Sequence, residues 1–380
     1  VVAPAWLPGP PDWRLDWPAV VAACPWLAPL AATPQEPIFH AEGDVLTHTG
    51  MVLEALAGLA EWRALPENDR AAVMLAALLH DIGKPDCTRV EGGAITSRGH
   101  ARAGAAIARR LLWGAEGLGL PPGPAERAEI AALVRLHGLP IWFLDRADMK
   151  RAVLGASVRA RLDLVALLAE ADARGRICAE QDELIARVGL FRDWCAERGC
   201  LGRPFAFASD HSRVRYLRGR QADPRYHAHD DTWGEVTLLA GLPGAGKDTW
   251  LRANLPDMPR VALDEIRAEL RIDPADGQGA VVAAARERAR ELLRRHQPFV
   301  WNATNLTRQL RDPLVDLLLD YGARVRIVYL DAPPELALRR NRQRPAPVPE
   351  SVIVRLAEKA EPPDLTEAHR VEIVDASASR

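Results

Sequence analysis

The chain has 380 residues, 48% of them apolar, and a formal net charge of −2; that length and composition imply about two globular domains and exclude a disordered or uniformly polyanion-coated chain. No stretch approaches the roughly 18 to 20 uninterrupted apolar residues of a membrane span. The Pro-rich, partly acidic start also lacks a signal peptide's basic n-region, so a cytoplasmic protein with no membrane partner is expected. Five cysteines, with no C-x-x-C pair among them, read as inert thiols in a reducing compartment. Lysine is scarce, four against 45 arginines, so each lysine is informative.

After an N-terminal extension over residues 1–34, apolar residues recur at helical spacing to about residue 200, in "HTGMVLEALAGLAEW", "RAAVMLAALLHDIG", "ARAGAAIARRLLW", "RAEIAALVRLH" and "RLDLVALLAEADARGR". No segment there alternates as a strand for long, and breakers such as "HGLPIWF" separate the helices. This predicts an all-helical domain over residues 35–202. Residues 203–233 lack a period and read as a connector, in which His227, His229, Asp230 and Asp231 form an incidental polar cluster. From residue 234 to 380 short apolar runs alternate with helices: "EVTLLA", "RVAL", "PFVWN" and "RVRIVYLD" are each followed by a helical pattern. That alternation predicts an α/β domain built on a parallel sheet.

The helical part carries five histidines, His40, His48, His80, His100 and His137, and His80 is followed directly by Asp81. Imidazole and carboxylate together suit Zn, Mn, Fe, Co or Ni, and an aspartate can bridge two such ions. The stretches "HAEGDVLTHTGMV", "LLHDIGKP", "SRGHARAGA", "LVRLHGLP" and "LAEADARGR" resemble, in order, the HD-superfamily phosphohydrolase domain. The resemblance is greatest to the HD module of bacterial CCA-adding tRNA nucleotidyltransferases, although nothing in the chain matches their carboxylate-rich nucleotidyltransferase head. By position it implies a first metal site of His48, His80, Asp81 and Asp172, with His100 and His137 serving a second ion. Lys84, three residues after Asp81, is placed to set a cation beside a phosphoryl oxygen. His40 is a candidate extra ligand or general acid, and Arg176 a candidate phosphate binder. The chemistry expected is metal-assisted phosphoester hydrolysis, which needs no covalent nucleophile.

In the second domain "LLAGLPGAGKDTW" places a Gly-rich loop between a strand and a helix, where successive backbone N–H groups cradle an anion. Gly241, Leu242, Pro243, Gly244, Ala245, Gly246 and Lys247 are the expected nucleotide contacts, with Lys247 on the β and γ phosphates. The common pattern has a Mg²⁺-binding hydroxyl next; here Asp248 stands there and Thr249 follows. A carboxylate is itself a hard Mg²⁺ ligand, so Asp248 reads as a replacement ligand and Thr249 as an α-phosphate contact. Asp264, at the end of the second strand, is placed to accept an acceptor hydroxyl's proton, and Arg267 to hold the acceptor's own phosphate.

These elements, with "TNL" at Thr304, Asn305 and Leu306 and "RNRQR" from Arg340 to Arg344, resemble the 5′-hydroxyl polynucleotide kinase of the phage end-healing type. The resemblance implies Asp264 as general base, Arg267, Thr304 and Asn305 at the acceptor, and Arg344 on the transferring phosphoryl group, with Arg340 closing a lid over the nucleotide. Ala303 departs from that family's polar residue. An HD phosphohydrolase fused ahead of such a kinase resembles a bacterial class of bifunctional end-healing enzyme. The function expected is therefore RNA repair, or DNA repair: metal-dependent hydrolysis of a 2′,3′-cyclic phosphate or 2′-phosphate end by two divalent transition ions, and phosphorylation of a 5′-hydroxyl end with ATP or another NTP and Mg²⁺. A separate polynucleotide ligase would complete the pathway. The alternatives are a small-molecule or nucleoside kinase fused to an HD nucleotidase, and a non-enzymatic RNA-binding platform. The sequence leaves the number of assembling chains open, a homo-oligomer included.

Overall fold

The computed structural model describes residues 3–119, 121–273 and 276–377. They form two compact units that divide between Ala206 and Phe207.

The first unit is helical around one enclosed helix, Glu67–Leu79, in which every residue from Ala71 to Leu79 is buried. A helix apolar on all sides needs neighbours on all sides. They are supplied by the helices Val45–Gly58, Pro124–Leu136 and Leu162–Arg174. Asp44 caps the first of these by accepting the Thr47 N–H at 2.9 Å, which satisfies one of the helix's orphan donors. Residues of the N-terminal extension belong to the same core: Val20, Cys24, Leu27 and Leu30 are fully buried.

Two features depart from the purely helical reading. Arg89–Glu91 and Ala94–Thr96 pair as an antiparallel ribbon, β1 and β2, turning through Gly92 and Gly93 at φ of 60° and 85°. Two adjacent positive-φ glycines are the requirement of a tight hairpin turn. Its strands are short and largely exposed, so no apolar alternation marks them. "HGLPIWF", read as a breaker, is itself a short helix, Leu139–Trp142, because Pro140 lies in the first turn, where its missing N–H costs nothing.

The second unit is built on a parallel sheet of order β4-β5-β3-β6-β7, with β3 (Glu235–Gly241) at its centre. β4 is Arg260–Ala262, β5 Val300–Asn302 and β6 Arg324–Asp331, as the apolar runs predict. The edge strand β7, Arg370–Asp375, was not anticipated: its alternating charges and half-burial give it a weak signal. The arginine-rich helix Gly279–Arg294 fully buries only Val281, Ala285, Ala289 and Leu293; Arg288 and Arg294 are exposed, and Arg286 and Arg290 half-buried. Residues 207–233 also belong to this unit. They include the helix Asp210–Leu217, whose Arg213 donates to the carbonyls of Leu365, Ala368 and His369. Asp230 and Asp210 both pair with Arg324. Among the described residues no helix is long and apolar enough to cross a membrane, and all five cysteines are free.

Candidate active sites

The histidine cluster grows out of helix ends. His80 and His137 are the C-caps of Glu67–Leu79 and Pro124–Leu136, where the last carbonyls of a helix have no intrahelical donor. Each imidazole supplies one: His80 Nδ1 donates to Ala77 O at 2.7 Å, and His137 Nδ1 to Val134 O at 2.8 Å. His100 opens the helix His100–Leu111 and donates from Nδ1 to Ser97 O at 2.8 Å. His48 Nδ1 faces Gly175 O at 3.3 Å and Glu42 Oε1 at 2.9 Å. Carbonyls only accept, so His80, His100 and His137 carry a proton on Nδ1 and turn Nε2 inward. His48 faces acceptors on both nitrogens, its Nε2 lying 3.1 Å from Asp172 Oδ1, and although burial opposes its charge, Asp172 and Glu42 raise its pKa.

Glycines permit this convergence. A Cβ on Gly83 would lie 2.4 Å from His100 O and 2.5 Å from Gly104 N, so its absence lets the His100 helix press against the turn that holds Asp81. A Cβ on Gly175 would lie 2.8 Å from Val52 N, and the close approach there brings Asp172 to His48.

The inward atoms form two groups, His48 with His80 and Asp172, and Asp81 with His100 and His137; ligand atoms within each group lie within 4.8 Å of one another. Asp81 also approaches the first group, its Oδ2 lying 3.9 Å from His48 Nε2. Its Oδ2 is 3.1 Å from His80 Nε2 and its Oδ1 is 3.4 Å from His100 Nε2. These contacts are rich in electron pairs. His80 Nε2 is buried with no hydrogen-bond partner, and His100 Nε2 faces His137 Nε2 at 3.3 Å. Two lone pairs at that distance repel unless a cation or proton lies between them. The donor set therefore fits divalent metal ions of the imidazole-and-carboxylate type. A third group, His40, Glu42 and His48, adjoins it.

Electrostatics match this design. Burial opposes ionisation of Asp81 and Asp172, yet His80 and Lys84 hold Asp81, and Arg176 and His48 hold Asp172, well below the usual carboxylate range. Burial, then the charges of His80 and His100, pushes His137 down to about 3, so it is a neutral ligand. Burial also lowers His40, against its contact with Glu42.

The flanking residues are engaged as follows. Lys84 Nζ lies 2.6 Å from Asp81 Oδ2 and 2.5 Å from Gln35 Oε1. Arg176 grips Asp172 with Nε and Nη2 at 3.1 and 2.8 Å. His40 Nδ1 is 2.7 Å from Glu42 Oε1. Lys84, Arg176 and His40 all line one cleft of about 1160 Å³ together with Asp81, His100 and His137. Sequence reasoning missed Glu42 and Gln35. Glu42 lies inside the quoted "HAEGDVLTH" stretch, but a lone glutamate carries no signal of its own.

In the second unit the Gly-rich loop follows β3, at the carboxyl edge of a parallel sheet where such folds bind ligands. Gly244, at φ of 83°, sits so close to the next layer that a Cβ would lie 2.3 Å from Ala337 O. Gly246, at φ of 98°, precedes the helix Lys247–Asn254. Lys247 Nζ donates to Gly241 O and Leu242 O, both at 3.0 Å, and burial brings its pKa down to about 8. Arg344 contributes to that lowering, which places it near the loop lysine. Arg340 Nη1 would lie 3.8 Å from a Cβ on Gly246.

Asp248 and Thr249 are exposed, and Asp248 Oδ1 accepts from Asn302 Nδ2 at 2.7 Å. Asp264, in the first turn of Leu263–Leu270, pairs with Arg267, whose Nε also donates to Gln278 Oε1 at 2.8 Å. Thr304 is half-buried, and its carbonyl accepts the Gly241 N–H at 2.9 Å. Asn305, at φ of 44°, is buried and its Nδ2 donates to Leu239 O at 2.7 Å, which braces the loop-bearing strand. The Arg340–Arg344 stretch is pinned by buried Asn341, which exchanges two hydrogen bonds with Val348 at 2.7 and 3.0 Å.

Two family models match the chain: an HD domain over residues 45–176 and an AAA domain over residues 236–363. No curated protein matches it. Among solved structures, a chain from the structure of the Pnkp1/Rnl/Hen1 RNA repair complex is 23% identical with a TM-score of 0.31, covering 36% of this chain and 46% of that one. The chain thus spans less than half the length of that relative. A gluconokinase from Sinorhizobium meliloti 1021 is 21% identical with a TM-score of 0.29, covering 38% of this chain and 85% of that one. A putative kinase from Chloroflexus aurantiacus is 14% identical with a TM-score of 0.33, covering 39% of this chain and 88% of that one. The chain carries an N-terminal HD domain and a C-terminal P-loop kinase-like domain.

Proposed function

We propose that the protein prepares both sides of an RNA break for sealing. The HD domain hydrolyses a 2′,3′-cyclic phosphate or 2′-phosphate end, and the kinase-like domain transfers the γ-phosphate of ATP or another NTP to a 5′-hydroxyl end. The observation that carries the reading is Asp81, whose two oxygens face His80 and His100 from the floor of a cleft that Lys84 and Arg176 also line.

His48, His80 and Asp172 would hold one metal ion and Asp81, His100 and His137 a second, with Asp81 shared. Such ions supply a nucleophilic water at neutral pH and offset phosphoryl charge. Lys84 and Arg176 contribute fixed cations for the phosphoryl oxygens, and His40 stands on the cleft wall as a proton carrier for the leaving oxygen.

In the second domain the loop N–H groups and Lys247 bind the polyphosphate, and Asp248, oriented by Asn302, is the Mg²⁺ ligand. Asp264 takes the proton of the acceptor hydroxyl, Arg267 holds the acceptor's phosphate, and Arg340 and Arg344 neutralise the transferring group. Hydrolysis at the 3′ P–O bond of the cyclic ester leaves a 3′-hydroxyl beside a 2′-phosphate, whose own hydrolysis frees the 2′-hydroxyl. A 3′-hydroxyl and a 5′-phosphate are the ends a polynucleotide ligase joins, so a separate ligase is the expected pathway partner.

The test is a short RNA with a 5′-hydroxyl and a 2′,3′-cyclic phosphate, incubated with ATP, Mg²⁺ and Mn²⁺, Ni²⁺ or Co²⁺, both ends being followed on a gel. Wild type should convert both ends, Lys247→Ala only the 3′ side and Asp81→Ala only the 5′ side. Turnover of nucleosides or free nucleotides with no change at either RNA end would overturn the reading in favour of a small-molecule kinase joined to a nucleotidase.

A further inference from the structure

The cleft over Asp81, His100 and His137 holds more positive charge than one phosphate needs. Six cationic side chains line it, Lys84, Arg98, Arg135, Arg146, Arg159 and Arg176, against two carboxylates, Glu36 and Asp81. Both carboxylates are committed, Asp81 to the histidines and Glu36 to the Ile95 N–H, which its Oε2 accepts at 2.8 Å. Lys84 and Arg176 are paired with Asp81 and Asp172 at the floor.

Arg98 and Arg146 differ from these. Both are exposed, and among the described residues neither makes an ion pair, whereas Arg161, Arg174, Arg187 and Arg192 elsewhere in this unit all do. Unpaired guanidinium groups beside a phosphoester site are suited to further phosphates, which they bind as forked donors. The lining also includes Trp142, 40% exposed, and Phe39, 41% exposed. An aromatic face accepts a base of any identity. At about 1160 Å³ the cleft is also larger than the roughly 300–1000 Å³ of typical small-molecule sites.

We propose that this cleft binds the last few nucleotides of a single-stranded nucleic acid, with Arg98 and Arg146 on phosphates upstream of the terminal one and Trp142 stacked on a base. The proposal rests on the HD domain acting on strand ends, and it adds which side chains hold the nucleotides upstream of the terminal one.

The experiment titrates the full chain into a short RNA bearing 5′-fluorescein and a plain 2′,3′-hydroxyl end, followed by anisotropy over a range of salt. Neither domain turns this probe over, and the dye blocks the end on which the kinase-like domain acts. Arg98→Ala/Arg146→Ala should weaken binding about tenfold or more and flatten the plot of log affinity against log salt by about 1.4, the value for two phosphate contacts on a single strand. Trp142→Ala should weaken binding with the slope unchanged. A charge-matched control, Arg203→Ala/Arg225→Ala, removes two exposed arginines outside the cleft and should leave affinity and slope at the wild-type values. Circular dichroism and melting of each variant exclude misfolding as the cause. If the double variant binds as wild type does, or loses no more than the control, the proposal is overturned.

Conversion of a 2′,3′-cyclic phosphate RNA end by the same wild-type preparation separates the two claims. End conversion with cleft-independent binding leaves the hydrolase reading intact and removes the groove. Binding that depends on Arg98 and Arg146 without end conversion does the reverse.

Discussion

Asn302 Nδ2 donates to Asp248 Oδ1 across 2.7 Å, tying the residue after the loop lysine to the end of the neighbouring strand β5. The contact orients the carboxylate that stands where this loop type commonly carries a hydroxyl. If Asp248 is the Mg²⁺ ligand, Asp248→Ala should raise the Mg²⁺ needed for half-maximal kinase activity by about 10- to 100-fold, and Asn302→Ala should raise it less. Asp248→Ser should recover part of the loss by restoring the hydroxyl. Mg²⁺ titrations of initial rate check this, and RNA 3′-end hydrolysis by the same variants should be unchanged.

Glu42 is the corresponding support in the HD domain. Its Oε1 is 2.9 Å from His48 Nδ1 and 2.7 Å from His40 Nδ1, and its Oε2 accepts the Ile177 N–H at 2.8 Å. Glu42→Gln keeps one acceptor for Ile177 but presents an amide that cannot serve both rings. Transition-metal affinity should fall by about 10- to 100-fold, as is usual when a carboxylate behind a ligating histidine is lost. Calorimetric titration of Mn²⁺ reads it directly, and an unchanged far-ultraviolet circular dichroism spectrum separates it from unfolding.

The two residues also show where sequence reading stops. His48, His80, Asp81, His100, His137 and Asp172 are legible because histidine is scarce and a His-Asp doublet at a helix end has few other uses. Glu42 and Gln35 do their work by orienting other side chains, which leaves no spacing to detect. The central strands announce themselves as apolar runs bounded by breakers, but β7 alternates charge with half-buried valine and isoleucine and resembles a polar tail. Asn305 has a bracing role that its motif does not signal. Its "TNL" context points to the acceptor, while the backbone at φ of 44° turns the carboxamide toward Leu239 O.

Lys247 yields a prediction about protons. Burial brings it to about 8, below the ordinary 10.5 of a lysine, with Asp248 and Asp264 opposing the shift and Arg344 adding to it. A bound polyphosphate brings negative charge and favours the protonated form. Nucleotide binding should therefore take up a proton above about pH 8, where the free lysine is largely neutral, and little below pH 7, where it is already charged. Titration calorimetry in buffers of different ionisation enthalpy measures the uptake. Lys247→Met should abolish the part that rises above pH 8, and an unchanged uptake in that variant would locate the proton elsewhere.

Arg311 and Glu367 form a pair almost without solvent contact, 0% and 1% exposed, joined by two hydrogen bonds of 2.7 and 2.8 Å. The remaining donors of Arg311 reach Asn305 O at 2.9 Å and Glu361 O at 2.8 Å, so the guanidinium ties the C-terminal segment to the turn after β5. That turn holds Leu239 through Asn305 and Gly241 through Thr304 O, the strand end from which the phosphate loop departs. Removing one partner strands a buried charge, a loss of about 3–5 kcal/mol. Glu367→Leu and Arg311→Met should each lower the melting temperature of the kinase-like domain and weaken nucleotide binding, while 3′-end hydrolysis persists. The double variant Arg311→Met/Glu367→Leu should be more stable than either single one, because no charge is then left unpaired. It should nevertheless bind nucleotide less well than wild type, since the carbonyls of Asn305 and Glu361 lose their donor and the loop its brace. Equal nucleotide affinity in the double variant and wild type would show that the pair stabilises the domain without positioning the loop.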